Sequence, residues 1–404
     1  MRILVVCQRY YPEVLQNRDI CEQLVEDGHD VTIVTGLPNY DDGIVREDYR
    51  HGKHREETIN GVKVYRTFEI GRRTGPVWRT FNYLSYMLSA SRWARRNRME
   101  FDVVFGYQLS PILMVRPGII VARKQHIPFF IYCCDLWPES MKMMLPNEKS
   151  LPFRLMLNIS RSIYSRADRI SVQSKSFLEY LEKVDLVPNE KLRYIPQFAI
   201  SDYLEMDFSQ DNGVIDFVFL GNIGIAQDID CIINATDLIK DLKGFAVHFV
   251  GDGAYLATAK KIVREKGLEN IIKFYGRQPV ECMPEYYKLA DVCLVTLKAG
   301  SIISRTIPSK VQGYMAAGMP ILGALEGYGA DVINESGSGI CVHSSDFEAF
   351  AAGMRSFITE FEKYKNCGEN ARNYFKKNFT KRIVVDAIEQ QFEELTEEYR
   401  RKNK

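Results

Sequence analysis

Short apolar runs alternate with segments of helical period along this chain, and the alternation starts twice. The first series holds ILVVC at 3–7, VTIVT at 31–35, VKVYRT at 62–67, VVF at 103–105, FFIYC at 129–133, ISVQ at 170–173 and LRYI at 192–195. Helical segments lie between them at 20–26 (closed by Gly28), 78–96 and near 112–123. Strands that read as unbroken Val/Ile/Phe runs are buried on both faces, the condition of a parallel sheet covered by helices on each side. Residues 196–213 interrupt the pattern with Gln197, Ser201, Asp202, Ser209, Gln210, Asp211 and Asn212, and read as a linker. A second series follows at 217–220, 246–250, 271–275, 292–296, 320–323 and 340–342, and from Ala349 onward the tail is helical and charged. Two parallel α/β domains in tandem leave a cleft, and in such sheets ligands bind beyond the carboxyl ends of the strands.

The 404 residues suit two domains of roughly 150–200 residues each. With 53 basic and 52 acidic side chains the net charge is +1, which gives no global attraction to nucleic acid. The nine cysteines include no CxxC pair and no zinc spacing, which fits free thiols in a reducing cytoplasm. The N-terminal apolar run breaks at Gln8-Arg9, too short for a secretory signal. No stretch reaches the roughly 18–20 apolar residues that span a bilayer.

Five stretches carry candidate chemistry. In FLGNIGIAQDID, at 219–230, a strand runs through Gly221, Asn222 and Gly224 toward an apparent helix. Small residues there let a phosphate approach backbone N–H groups; the competing reading is a tight strand-to-helix turn. FVGDGAYL, at 249–256, repeats the pattern with Gly251, Asp252 and Gly253. In SRTIPSKVQGYMAAGMPILG, at 304–323, Pro308 and Ser309 suit a helix start and Lys310 falls in its first turn. A cation there opposes the helix dipole unless an anion is bound, with Arg305 as a second cation. YCCDLWPES, at 132–140, delivers Asp135 and Glu139 to a strand end, for proton transfer or sugar hydroxyls, or else Asp135 caps a helix. The stretch 70–98 interleaves Arg72, Arg73, Arg79 and four further arginines with Trp78 and other aromatics, as a helix on an anionic membrane surface does, or as a packed helix with a solvated face. Asp41–Gly43, a DDG turn after LPNY, is a weak metal candidate, and no acidic pair or His set supplies a metal site.

Together these residues resemble the family 4 retaining glycosyltransferases of the GT-B fold, and more narrowly the bacterial O-antigen and capsule transferases, N-acetyl-L-fucosamine transferases among them. The likeness rests on ILVVCQRYYPE, LVEDGHDVTIVTGLPNY, DLWPES, GNIGIAQ, ADVCLVTL and IPSKVQGYMAAGMPILG, in that order along nearly the whole chain.

The resemblance implies two Rossmann-like domains whose parallel sheets face across the cleft: 1–196 for the acceptor, a linker at 197–213, and 214–382 for the nucleotide sugar. A last helix, about 383–404, crosses back to the first domain. It implies Gly221, Asn222 and Gly224 beside the donor diphosphate, with Ser309, Lys310 and Arg305 on its phosphates and Arg277 near the base. The GDG turn would complete that pocket. Asp135 and Glu139 would reach sugar or acceptor, while Asn39, Tyr40, Arg72, Arg73, Trp78 and Arg79 would serve the acceptor and the membrane. The activity implied is sugar transfer with retention, needing no metal. The donor would be a nucleotide diphosphate sugar, UDP-linked, with an N-acetylated deoxyhexosamine as the candidate sugar. The acceptor would be a polyprenyl-diphosphate-linked saccharide, at the inner face of the cell membrane. Two departures stand out. Where relatives carry two glutamates eight residues apart this chain has Arg305 and Gly313, which leaves Glu326 as a substitute. Where relatives have paired glycines after the first strand it has Val14-Leu15-Gln16-Asn17. A nucleotide-sugar epimerase and a non-catalytic nucleotide-sugar-binding subunit are the alternatives.

Overall fold

The computed structural model describes every residue except 14, 41, 144–146, 209–211, 301–305 and 403–404. The chain divides into two units, Met1–Ile195 with Val385–Lys404, and Pro196–Val384.

In the first unit the elements run β1 (Arg2–Val6), α1 (Gln16–Glu26), β2 (Asp30–Thr35), β3 (Glu56–Ile59), β4 (Val62–Arg66), α2 (Pro76–Arg96), β5 (Val103–Gln108), α3 (Arg116–Gln125), β6 (Phe129–Cys133), α4 (Leu151–Tyr164), β7 (Arg169–Val172), α5 (Lys175–Lys183) and β8 (Leu192–Tyr194). They form one eight-stranded sheet, ordered β3-β4-β2-β1-β5-β6-β7-β8. All pairs are parallel except β3 with β4. Residues Ile3–Val6 of β1 are fully buried because β2 and β5 flank them. Strand order reverses between β1 and β5, which makes the loops after these two strands the natural ligand edge.

The edge hairpin escapes a reading based on apolar runs. Strand β3 is EETI, polar as an exposed edge must be, and Asn60-Gly61 joins it to β4 with φ of 48° and 82°. Near 112–123 the helix is also differently divided. A 3-10 turn covers Ile112–Val115, and α3 starts at Arg116 with Pro117 in its first turn, where its missing N–H costs nothing.

The second unit holds β9 (Ile215–Leu220), α6 (Ile229–Ile239), β10 (Phe245–Val250), α7 (Leu256–Glu265), β11 (Ile272–Gly276), α8 (Met283–Leu289), β12 (Val292–Thr296), α9 (Ser309–Ala317), β13 (Ile321–Ala324), α10 (Tyr328–Ser336), β14 (Gly339–Val342), α11 (Phe347–Glu360) and α12 (Cys367–Asn378). Its six strands are all parallel, ordered β11-β10-β9-β12-β13-β14, with the reversal between β9 and β12. Those two strands pair through only two residues each, and the Tyr314 hydroxyl sits beyond, accepting from Leu220 N (3.1 Å) and donating to Leu294 O (3.1 Å). The described residues after Ile195 and before β9 form no helix or strand, but they are not simply solvated. Phe198, Leu204 and Phe208 are buried, and Tyr203 and Phe208 pack on Tyr287.

The last helix, α13 (Lys381–Lys402), returns the chain to the first unit. Phe392, fully buried, sets its ring edge-on to Phe105 (5.3 Å) and Phe130 (5.7 Å). Arg169 pairs with Glu394 and with Glu398 (2.7 Å), and Tyr399 donates to Asp168 (2.8 Å). All three tryptophans, Trp78, Trp93 and Trp137, lie in this unit, so their fluorescence reports on it alone. Phe392→Ala is expected to destabilise the first unit by about 3–5 kcal/mol, the usual cost of emptying a buried phenylalanine site. Urea unfolding followed by tryptophan emission measures it, and a midpoint equal to that of the parent protein would contradict this role for α13.

Candidate functional site

Side chains gather at the carboxyl edges of both sheets, in one group in the second unit and in two in the first.

In the second unit the loops after β9 and β10 are locked together through their backbones. Gly221 N donates to Val250 O (2.8 Å), Ile223 N to Asp252 O (2.9 Å), and Tyr255 N to Ile223 O (3.0 Å). Gly251, at φ 146°, passes so close that a Cβ there would lie 1.8 Å from Gly221 O. Gly251 and Gly253 are therefore needed for loop-on-loop packing, whatever else they touch. The helix expected after the GNIG turn is delayed. Ile225–Gln227 form a 3-10 turn, Asp228 takes φ 47°, and α6 begins at Ile229. Asn222 donates to Gln227 Oε1 (3.1 Å), and Asp252 accepts from Gly253 N (2.7 Å), with both residues exposed.

Helix α9 aims its N-terminus at this shelf. Pro308 caps it, Ser309 is its exposed first residue, and Lys310 follows in the first turn. The Lys310 stem is partly exposed, but its ammonium nitrogen is sealed from solvent, 3.4 Å from the Phe219 ring centroid. A Cβ on Gly221 would come within 3.1 Å of Lys310 Cε, so the loop and the lysine share one space. The ammonium has no hydrogen-bond acceptor among the described residues. Burial pushes its pKa down to about 7. The Phe219 face opposes that shift, since an aromatic quadrupole favours the charged form. Phe219 was not among the residues singled out from sequence; as one apolar residue of a strand it carries no separate signal.

The remaining expected residues of this unit are more scattered. Arg277 is exposed just after β11, and Glu326 is exposed after β13, ahead of Gly327 at φ 72°. At Gly313 a Cβ would meet Tyr287 Oη at 3.1 Å, so Tyr287 crowds that position. Arg305 and Asp41 lie outside the described residues. Within the DDG turn, Asp42 accepts from Ile44 N (2.9 Å), as a turn residue does.

In the first unit Asp135 follows β6, but it caps no helix. One oxygen accepts from the Ser110 hydroxyl and the other from Ser140 Oγ (2.5 Å), while Trp137 Nε1 donates to Ser110 Oγ (2.7 Å). Both carboxylate oxygens thus help fix the loop that carries Trp137 and Pro138. Burial raises the Asp135 pKa, and the serine hydrogen bonds oppose the rise. Glu139 is buried and ion-paired to Lys142 (2.8 Å), which also holds Glu148 (2.6 Å).

The other cluster of this unit centres on a residue the sequence reading passed over. Glu69 is buried after β4, and its carboxyl accepts from Gln8 Nε2 (2.8 Å), Asn39 Nδ2 (3.0 Å), Asn82 Nδ2 (2.5 Å) and Leu37 N (3.2 Å). Burial pushes its pKa up to about 7 against those hydrogen bonds. Asn39 Oδ1 in turn accepts from Arg72 N (3.0 Å), which ties the loops after β2 and β4 to one carboxyl. The signal available in the sequence was a carboxylate directly after a strand, in RTFEIG. Arg73 lies over the Trp78 ring (4.2 Å) at the start of α2, and Arg79 is partly buried in its first turn. Tyr86 and Met87 of α2 face inward, whereas Val77, Phe81, Leu84 and Leu88 form an exposed stripe.

Binding an anion should restore the Lys310 proton. At about pH 8 the ligand-free amine is mostly neutral, and a bound diphosphate raises its pKa, so association takes up protons. Calorimetric titration of UDP in buffers of different ionisation enthalpy is expected to show that uptake and to lose it in Lys310→Met. The unfolded lysine keeps its ordinary value of 10.5. The unfolded chain therefore holds more protons between about pH 7 and 10.5, and ligand-free stability gains from this residue as pH rises through that window.

Comparison with known proteins gives a consistent result. Residues 15–197 match the model of the glycosyl transferase 4-like domain, and residues 207–374 match glycosyl transferases group 1. WcaI of Escherichia coli K12, provisionally assigned as a colanic acid biosynthesis glycosyl transferase, is 24% identical over 95% of this chain and 98% of its own length. WbjE of Pseudomonas aeruginosa, provisionally a glycosyltransferase, is 31% identical over 62% of this chain and 64% of its own. Among solved structures, Anabaena Alr3699/HepE in complex with UDP superposes with a TM-score of 0.70 at 14% identity, covering 98% of this chain and 100% of that one.

Proposed function

This chain is a family 4 glycosyltransferase of the GT-B fold, and we propose that it moves a sugar from a UDP-linked donor to a lipid-linked saccharide acceptor during assembly of a surface polysaccharide. The observation that carries the donor side is Lys310. A buried ammonium with no acceptor among the described residues, at a helix N-terminus and against a glycine loop, is costly unless an anion completes it. A diphosphate fits that need. UDP is favoured because the Anabaena structure named above was determined with it. The colanic acid assignment of WcaI supports surface polysaccharide as the product class.

In the reaction we infer, the bond from the anomeric carbon to the diphosphate oxygen breaks while an acceptor hydroxyl attacks from the same face. Negative charge grows on the departing phosphate. Lys310 and the N–H groups at the start of α9 stabilise it, with no metal called upon. The leaving oxygen takes the acceptor proton, so retention needs no enzymic nucleophile. Asp135 and Glu139 act as positioning groups in this scheme, since their oxygens are already bound to Ser110, Ser140 and Lys142. Lys310→Ala is expected to lower turnover by about 10²–10³-fold, as loss of one such donor does. The assay is release of UDP from a panel of UDP-sugars, with and without a polyprenyl-diphosphate-saccharide. Release that is indifferent to acceptor would favour a hydrolase, conversion of one UDP-sugar into another without UDP release would favour an epimerase, and UDP binding without any turnover would favour a binding subunit.

The lipid side of the proposal draws on the outer face of the first unit. The stripe Val77, Phe81, Leu84 and Leu88 is apolar, exposed and spaced as one helix face, and no helix among the described residues is long and apolar enough to cross a membrane. Beside it, a groove of about 550 Å³ is rimmed by Arg95, Arg116, Arg123 and Arg166 above Ile119 and Ile159. Apolar side chains bordered by arginines suit peripheral contact with an anionic bilayer. Wild-type protein is expected to co-sediment with phosphatidylglycerol vesicles, and Phe81→Ser with Leu88→Ser to weaken it several-fold. Equal sedimentation of both proteins would remove α2 from that role.

A further inference from the structure

One charged pair in the first unit is not explained by the fold. Arg9 follows β1, Tyr40 follows β2 and Arg72 follows β4, so three neighbouring parallel strands deliver them to the same edge. The Arg9 guanidinium lies 3.8 Å from the Tyr40 ring centroid and that of Arg72 lies 5.2 Å from it. Both arginines are partly buried. Neither has a carboxylate within ion-pair distance among the described residues, and Arg72 Nε is buried with no hydrogen-bond partner there. Burial, and after it the charge of Arg72, lower the Arg9 pKa, although Glu13 opposes this. Two like charges held on one ring repel each other, and desolvation adds to that cost.

The surroundings hold the pair in place and offset its charge only in part, through Glu13 and Glu69 near Arg9. Asn39 N and Tyr40 N both donate to Glu13 Oε1 (2.9 Å each), which uses that oxygen on backbone. Arg72 N is fixed by Asn39 Oδ1, whose amide is fixed by Glu69. Tyr40 itself is 52% exposed, so solvent reaches the edge of the cluster. Guanidinium groups present paired N–H donors that match phosphate oxygens, and an aromatic face keeps them oriented. We propose that Arg9 and Arg72, seated on Tyr40, form a diphosphate-binding subsite in the first unit, separate from the Lys310 site of the second. Resting on the transfer reaction proposed above, this assigns a chemical group to the loop after β1.

A diphosphate reaches such an enzyme from two sources, the prenyl diphosphate of the acceptor and the nucleotide of the donor. Equilibrium binding of farnesyl diphosphate and of UDP separates them, measured on the full chain as wild type, Arg9→Gln/Arg72→Gln and Lys310→Ala. A loss of at least about tenfold in farnesyl diphosphate affinity in the arginine variant, with UDP within twofold, places the acceptor diphosphate there. The reverse pattern assigns the subsite to the donor. Unchanged affinity for both ligands in a variant that keeps the wild-type melting temperature overturns the proposal. If the double variant does not fold, Arg72→Lys serves instead, because it keeps the charge while removing the fork, and an unchanged farnesyl diphosphate and UDP affinity there has the same overturning force. The readout is binding, so a chain inactive as a transferase would still reveal or lack the subsite.

Discussion

The second unit depends on a contact in which no side chain takes part. Gly221 and Gly251 follow adjacent strands, and the backbone of one occupies the space where the other would carry a Cβ. Hydrogen bonds on either side, from Gly221 N to Val250 O and from Gly251 N to Gly276 O (2.8 Å each), extend the sheet ladder past its regular end. The loops that would otherwise be mobile at the carboxyl edge become a continuation of the sheet. A ligand can then meet fixed N–H groups, and the ordering cost is met by folding rather than at binding. The position of the Lys310 stem against Gly221 follows from the same closeness.

The first unit solves the equivalent problem with side chains. There the loops after β1, β2 and β4 and the start of α2 converge on Glu69, through Gln8, Asn39, Leu37 and Asn82. A buried carboxyl is tolerable when its oxygens are satisfied, and here amide donors do that without adding charge. One polar centre thus sets the backbone of several loops at once. Removing any one amide would leave a buried acceptor short and loosen loops that are distant in sequence.

Much of this was legible in the sequence, for a physical reason. Strands buried on both faces must be apolar throughout, so β1, β2, β5, β6, β9, β10 and β12 announce themselves, and the two restarts give the two sheets. Strand β3 did not, because an edge strand is polar, although Asn60-Gly61 was the turn that could have revealed it. Lys310 in a first helical turn was visible because the charge contradicts its local setting. The hub at Glu69 showed only as a carboxylate after a strand, and the pairing of Arg9 with Arg72 not at all. They bring together residues far apart in the chain, and no local rule marks such a meeting. Asp135 was noticed for its place after a strand, but only coordinates show that Ser110 and Ser140 already occupy it.

The return of α13 to the first unit also orders events during synthesis. The strands β1–β8 leave the ribosome early, yet the helix that covers Phe105 and Phe130 is translated after the whole second unit. For that interval the nascent first unit exposes an aromatic face, while Pro196–Val384 has every strand of its own sheet. Domains released sequentially often fold in that sequence. Here the earlier one waits for the later, which makes the nascent chain a natural client for chaperones that bind exposed apolar surface.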